Sequence, residues 1–169
     1  IRSNIVYVVS NLTHNVWGFN LKSVEGKRWL VPTLSAPYYI DRYGEEAGIP
    51  HHAVEKNKLG FEAHKESVRR VAEAGGQIVM GTDAGTPFNR HGANAKELEL
   101  LQSVGLAASQ VLMAATSRAA AMLGLETGLV QAGRLADLVV LDVNPLEDIR
   151  ALQQPEHIRT VYVGGRRVR

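Results

Sequence analysis

QIVMGTDAG, residues 77–85, is the stretch of this 169-residue chain that decides its fold. Its apolar first half follows the break Gly75-Gly76 and contains β-branched residues, which is typical of a buried strand between helices. Asp83 follows the strand in a glycine-rich turn. Because parallel α/β proteins place their chemistry at the carboxyl ends of strands, Asp83 is predicted to be a ligand or a base. The alternative is a carboxylate that caps the turn or the next helix.

The composition is that of an ordinary globular protein, with 45% hydrophobic and 21% charged residues and a formal net charge of +2. That charge is too small to indicate nucleic-acid binding, and the basic residues 166–169 are interpreted as a solvated tail. No run of 18 apolar residues is present, so no membrane span is expected. The absence of cysteine excludes disulfides, thiolate nucleophiles and cysteine-based zinc sites, and we expect a cytoplasmic protein.

Between residues 29 and 124 the pattern predicts a parallel α/β unit in which helices alternate with strands. A long connection over residues 35–52 is expected to hold about one helical turn, and Ser109 is expected to cap the last helix. The predicted strands cover residues 29–34 and 77–82, and the predicted helices run from Asn57 to Gly75, from Ala93 to Val104 and from Ser109 onwards.

After Gly124 the pattern changes to antiparallel β structure. Leu138–Leu141 and Ile158–Val163 are predicted strands, and Gly164-Gly165 forms a two-residue hairpin to the final strand. A short helical piece is expected over residues 146–152. At the other end of the chain, residues 5–9 resemble a strand, but residues 1–28 as a whole have no clear assignment.

Three blocks in the same order resemble the metal-dependent amidohydrolase superfamily, nearest its prolidase-like and imidazolonepropionase-like members. Residues 79–88, VMGTDAGTPF, are similar to the eighth barrel strand and its loop. Residues 114–124, AATSRAAAMLG, look like the helix that ends the barrel, and residues 133–146 look like the return into the β-sandwich. Val31–Leu34 fits the seventh strand.

The resemblance implies an α/β fold made of the C-terminal strands of a TIM-like (β/α)₈ barrel and of a small β-sandwich. The implied boundaries are residues 29–124 for the barrel part and 125–169 for the sandwich part, with residues 1–28 unassigned. In that family one or two divalent metals, usually zinc, are held by histidines, a carbamylated lysine or glutamate, and the Asp of the eighth strand. By this resemblance Asp83 is both a metal ligand and the catalytic general base.

The pattern is incomplete, however, because a whole barrel needs about 200–250 residues. The chain has no His-x-His pair, and none of its six histidines has the spacing or the strand-end context of a metal-ligand pair; they are His14, His51, His52, His64, His91 and His157. One ligand cannot hold a catalytic zinc. We therefore expect a fragment of a larger enzyme, a split enzyme or a degenerate relative, which needs a missing N-terminal part of the barrel or forms a homo-oligomer.

The function implied by the resemblance is hydrolysis of a C–N amide bond in a small-molecule or dipeptide substrate, as in a prolidase-like dipeptidase or carboxypeptidase. Two alternatives stay open: an imidazolonepropionase-like cyclic amidohydrolase, and an inactive domain that serves folding or assembly. His91 and Tyr38 are candidate substrate-binding residues. The alternative for His91 is a loop histidine that bonds nearby backbone. The alternative for Tyr38 and Tyr39 is packing under the long loop. His64 is expected to be solvated.

Overall fold

The computed structural model describes residues 5–6 and 29–169. The strand predicted over residues 5–9 is present at Ile5–Val6, here β1. The rest of that prediction, and the structure of the remaining residues before 29, lie outside the described part. Within the described residues no helix is both long and apolar enough to span a bilayer.

The first sheet is parallel, as the sequence predicts, and has the order β1-β2-β3. The second and third strands are β2, Trp29–Leu30, and β3, Gln77–Ile78. Trp29 lies opposite Gln77 and Leu30 opposite Ile78. The regular strands are shorter than predicted because pairing changes after them: the Val79 amide still donates to the Leu30 carbonyl at 2.9 Å, but the Met80 amide donates to Ala114 at 3.0 Å.

The described residues contain five α-helices. They are α1, Ser35–Tyr43; α2, His51–Glu73; α3, Lys96–Ser103; α4, Ala108–Ala115; and α5, Ser117–Leu123. The prediction of a mostly irregular connection over residues 35–52 is wrong, because α1 and the start of α2 occupy it. Pro37 is compatible with α1 because the first turn of a helix does not use that amide.

Ser109 is not the cap that the sequence predicts. Helix α4 begins one residue earlier, at Ala108, so that Ser109 lies inside it. The Gln110 side chain reaches back instead, and its Oε1 accepts from the Ala107 amide at 2.9 Å. Gln110 thus satisfies the Ala107 amide at the start of the helix. Ser109 lies inside the first turn and cannot reach that amide.

The second sheet is antiparallel, in the order β4-β5-β6. It consists of β4, Leu138–Leu141; β5, Ile158–Val163; and β6, Arg166–Arg167, so the predicted strands and hairpin are confirmed. The short helical piece between β4 and β5 is a 3₁₀ helix at Ile149–Gln153, followed by a second at Pro155–His157.

One apolar core joins the helices to the start of this second unit. Leu34, Ile78, Leu101 and Val111 are buried in it together with Ile149 from the first 3₁₀ helix. The chain is thus a mixed helix and strand structure with a parallel sheet followed by an antiparallel one. It remains a prediction that the first sheet closes into a barrel and that the second completes a sandwich. The boundary between these two parts near residue 124 is also a prediction.

Candidate functional site

Backbone strain marks the two loops that follow β2 and β3. Three non-glycine residues in the described ranges have positive φ: Thr33 at 53°, Asp83 at 53° and Phe88 at 65°. All three lie within ten residues of the end of one of these strands. Residues other than glycine, asparagine and aspartate rarely adopt this conformation, so Thr33 and Phe88 are the unusual ones, and such residues concentrate at functional sites. The strain therefore points to the carboxyl edge of the parallel sheet.

The loop that carries Asp83 is held by Asn89, which is 2% exposed. Its Nδ2 donates to the carbonyls of Thr82 at 2.5 Å and Asp83 at 3.1 Å. The Asn89 carbonyl in turn accepts from the Gly85 amide at 2.8 Å, and the Asp83 carbonyl accepts from Thr86 Oγ1 at 2.9 Å. These bonds fix the backbone on both sides of Asp83 without using its carboxylate.

The Asp83 carboxylate is exposed and makes no hydrogen bond or ion pair with any described residue. The alternative role, capping of the turn or of the next helix, is therefore not what this side chain does. Backbone carbonyls and Asn89 form the turn instead. A carboxylate held by a rigid loop at the end of a strand, with both oxygens available, is suited to binding a metal ion or accepting a proton.

His91 lies beside the same loop. Its side chain is exposed, and its Nε2 is 3.6 Å from the point where a Cβ on Gly85 would sit. No described residue forms a hydrogen bond with the imidazole, so the alternative of a histidine that bonds loop backbone is not observed. The ring is thus next to the Asp83 turn and free to contact a bound molecule.

Tyr38 is half-buried and packs against the apolar core, which agrees with the packing role given as its alternative. Lys96 Nζ lies 4.6 Å from the centre of the Tyr38 ring. The Tyr39 ring meets the Tyr38 ring edge-on, with the two ring centres 5.2 Å apart. On its other side Tyr39 stacks with Tyr43, and the Tyr43 ring contacts Phe88 in the loop after β3. Sequence reasoning did not single out Tyr43, whose ring centre lies 6.2 Å from that of Phe88 in the loop after β3.

Glu97 is the main residue near the site that sequence reasoning missed. Its side chain is completely buried and crosses from α3 to the start of α1. Oε1 accepts from the Leu34 amide at 2.9 Å, and Oε2 accepts from the Ser35 amide at 2.7 Å and Ser35 Oγ at 2.6 Å. Helix α1 has no cap from its own N-terminal residue, so Glu97 supplies one from 62 residues away. Burial raises the pKa of Glu97 to about 7, against the opposing effect of these bonds.

His64 is also buried, at 5% exposure, so the prediction of a solvated histidine is wrong. Helix α2 turns this position towards the core although its sequence neighbours Glu62 and Glu66 are charged. Neither ring nitrogen has a hydrogen-bond partner among the described residues. Burial lowers the pKa of His64, and the nearby Pro32 carbonyl only partly opposes this shift. His64 is therefore a neutral packing residue.

Among the described residues, one group of side chains other than the sequence-predicted site has the geometry to hold a metal ion. Glu45, His51 and Glu55 place one ligand atom each within 4.8 Å of one another, all on exposed side chains. His51 Nδ1 lies 2.6 Å from Glu45 Oε1, and Glu55 already pairs with Lys58 at 2.8 Å. The group does not include Asp83. Sequence reasoning missed it because Glu45 and His51 are joined by the turn between α1 and α2.

Residues 29–168 match the amidohydrolase family. Ochratoxinase from Aspergillus niger is 31% identical over 162 residues, which cover 94% of this chain and 32% of the relative. A Xaa-Pro dipeptidase structure with bound methionine in its active site is 29% identical with a TM-score of 0.71, over 83% of this chain and 34% of that one. A prolidase complexed with N-methylphosphonate-L-proline is 30% identical with a TM-score of 0.73, over 84% and 35%. The chain spans about a third of the length of these relatives.

Proposed function

The chain belongs to the amidohydrolase family, and on that premise we propose that it is the C-terminal part of a metal-dependent enzyme that hydrolyses C–N amide bonds. Within this class, the proposed substrates are dipeptides and related N-acyl amino acids. The similarity to a Xaa-Pro dipeptidase and to a prolidase complexed with N-methylphosphonate-L-proline supports this choice. The observation that carries the proposal is the exposed carboxylate of Asp83, which bonds to no described residue and stands on a fixed loop after β3.

The Asp83 carboxylate is the one ligand at this loop that fits such a metal site. Neither carboxylate oxygen of Asp83 bonds to a described residue, and His91 stands beside the same turn. Asp83 would hold the metal, with the other ligands supplied by parts of the enzyme other than the described residues. When bound, such a metal would lower the pKa of a bound water molecule and would polarise the scissile carbonyl.

The catalytic role proposed for Asp83 is transfer of a proton. Its carboxylate accepts a proton from the attacking water as the new C–O bond forms at the carbonyl carbon. It then gives that proton to the amide nitrogen as the C–N bond breaks, so that a carboxylic acid and an amine leave the site. Asn89 keeps the carboxylate in place through the loop carbonyls, and His91 is proposed to contact the substrate.

The test is amide hydrolysis by the full-length protein that contains this chain. Xaa-Pro dipeptides and N-acyl amino acids are incubated with the protein as purified, after chelation, and after readdition of zinc, and the released amine is quantified. We expect release that chelation abolishes and metal restores. Absence of amine release from every member of the panel by the metal-loaded protein would contradict the proposed function.

A further inference from the structure

The segment that leads from β2 into α1 is strained at its centre. Thr33 has a φ of 53°, and its neighbours Pro32, Leu34 and Ser35 are buried. A positive φ is a genuine outlier for a β-branched residue, and it persists only where the surrounding structure imposes it. Because Thr33 and Asp83 follow neighbouring parallel strands, whatever imposes this conformation also shapes the edge of the sheet at which Asp83 stands.

Glu97 holds the chain immediately after Thr33. The Leu34 amide donates to Glu97 Oε1 at 2.9 Å, and the Ser35 amide donates to Oε2 at 2.7 Å. The Ser35 hydroxyl adds a third bond, to Oε2 at 2.6 Å. The Thr33 carbonyl, in the peptide group that joins Thr33 to Leu34, accepts from the Ala36 amide at 3.3 Å. Since this peptide group is bonded at both its N–H and its carbonyl, Glu97 helps to fix the chain on the C-terminal side of Thr33.

The position of Glu97 is unusual for a group that only caps a helix. A helix start is ordinarily satisfied by serine, threonine, aspartate or asparagine at the N-cap, but Leu34 stands there in α1. Glu97 is completely buried, and its carboxylate forms no ion pair with a described residue. Burial of an unpaired carboxylate opposes folding, so a local cap would satisfy the same amides with less loss of stability. The bridge does what a local cap cannot, which is to tie α3 to the segment after β2.

The segment after β2 contacts the segment that leads to Asp83. A Cβ on Gly81 would lie 3.8 Å from Thr33 Cγ2 and would be closer still to Val31. Gly81 stands two residues before Asp83, at the start of a loop that Asn89 holds through backbone carbonyls. A displacement of Thr33 would therefore be passed to this loop, because closely packed segments transmit strain.

We propose that Glu97 is a positioning residue for Asp83. From α3 it holds Thr33 in its strained conformation, and the contact between Thr33 and Gly81 fixes the loop that carries Asp83. Because its carboxylate is completely buried, Glu97 acts through the backbone and not on the substrate. The effect on turnover rests on the proposed function, since Asp83 is the group that is positioned, whereas the fixing of the loop does not.

The test is amide hydrogen exchange in the full-length protein. Glu97→Gln replaces one acceptor oxygen by a nitrogen that cannot accept a hydrogen bond. We expect exchange about tenfold faster at the Ser35 amide and about threefold faster or more at the Gly85 amide, which donates to the Asn89 carbonyl in the Asp83 loop. Ser35→Ala removes only the hydroxyl bond and should give smaller increases at both places, so the measurement stays decisive if Glu97→Gln does not fold.

A second substitution tests the strained residue itself. Adding Thr33→Asn to Glu97→Gln should return the exchange rate at Gly85 towards the wild-type value, because asparagine adopts a positive φ more readily than threonine. A residue that only stabilised α1 would not respond in this way. Glu62→Gln, on the exposed face of α2, is the control and should change neither place. Faster exchange confined to α1, or no recovery in the double variant, would overturn the positioning role.

Turnover separates this role from the proposed function. For an amide that the wild type hydrolyses, Glu97→Gln should lower kcat about tenfold or more and leave KM within about threefold, since the carboxylate that transfers the proton is displaced. An unchanged kcat would overturn the positioning of Asp83 by Glu97 and retain the proposed function. Absence of hydrolysis by the wild type, with Gly85 still responding to Glu97→Gln, would remove the proposed function and retain Glu97 as the residue that fixes the loop.

Discussion

At the scale of single residues, the site depends on carboxylates with opposite surroundings. Asp83 is exposed and unbonded among the described residues, whereas Glu97 is buried and accepts three hydrogen bonds. The first is available for chemistry, and the second holds the start of α1. The difference comes from backbone position, because Asp83 stands in a left-handed turn outside the core and Glu97 in the first turn of α3, facing inwards.

Glu97→Gln is expected to lower the free energy of unfolding at pH 5 by about 1–3 kcal/mol, because the amide nitrogen cannot accept from the Ser35 amide. Since the pKa of Glu97 is about 7 when folded and 4.5 ordinarily, the folded protein holds a proton that the unfolded chain has lost between these values. The stability of the wild type relative to Glu97→Gln should therefore decrease as the pH rises from 5 to 7.5. Urea unfolding of the full-length protein measures it.

Glu62→Gln, which changes an exposed carboxylate on α2, is the control for the Glu97 measurement and should show no such trend. A difference between wild type and Glu97→Gln that stays constant or grows with pH would contradict the role of burial at Glu97.

His64→Leu is expected to stabilise the protein by about 1–3 kcal/mol, since it removes two buried ring nitrogens that have no partner among the described residues. Burial lowers the pKa of His64 below its ordinary value of 6.5, so the unfolded chain binds a proton that the folded protein does not. Stability is consequently lost as the pH falls through about 6.5, and His64→Leu should remove that loss. Unfolding at pH 7.5 and 5.5 measures both effects, with the exposed His52→Leu as control. A destabilised His64→Leu protein would show that the imidazole has a partner.

At the scale of elements, the close approach of the segments that follow β2 and β3 depends on Gly81. A Cβ on this residue would lie 2.2 Å from Val31 Cγ1, too near for any real contact. Gly81→Ala is therefore expected to cost about 1–3 kcal/mol of unfolding free energy and to reduce activity by moving the Asp83 loop. Adding Val31→Ala removes the clashing methyl group and should restore part of both. A Gly81→Ala protein as stable as the wild type, or no recovery in the double variant, would contradict the contact.

Sequence patterns predicted the parallel strands, the antiparallel tail and the hairpin because each depends on local alternation and turn residues. They did not predict α1, since Pro37, Gly44 and Gly48 are typical of a loop. That helix is capped by Glu97, and no local pattern shows a bond across 62 residues. His64 was misjudged for a similar reason: its charged sequence neighbours indicate an exposed face, but the packing of α2 decides its burial.

At the scale of the whole molecule, the chain is about a third of the length of its relatives and holds one strand-end carboxylate of the proposed site. The antiparallel sheet exposes apolar side chains, with Val139 at 55% and Val163 at 58%. Exposed apolar surface on a sheet favours contact with further protein. We therefore still predict that this chain works together with an N-terminal part of the barrel or as a homo-oligomer. Asp83 would act within that larger assembly.

The central claim is that Asp83 is the metal ligand and base of an amide hydrolase. It is tested most directly by kcat/KM for amide hydrolysis by full-length Asp83→Asn, with Asp148→Asn as the matched control because asparagine still caps the 3₁₀ helix that Asp148 begins. We predict a loss of about 10²-fold or more for Asp83→Asn, with a folded protein and near-normal activity in the control. An Asp83→Asn enzyme that keeps activity within a few-fold of the wild type would contradict the claim.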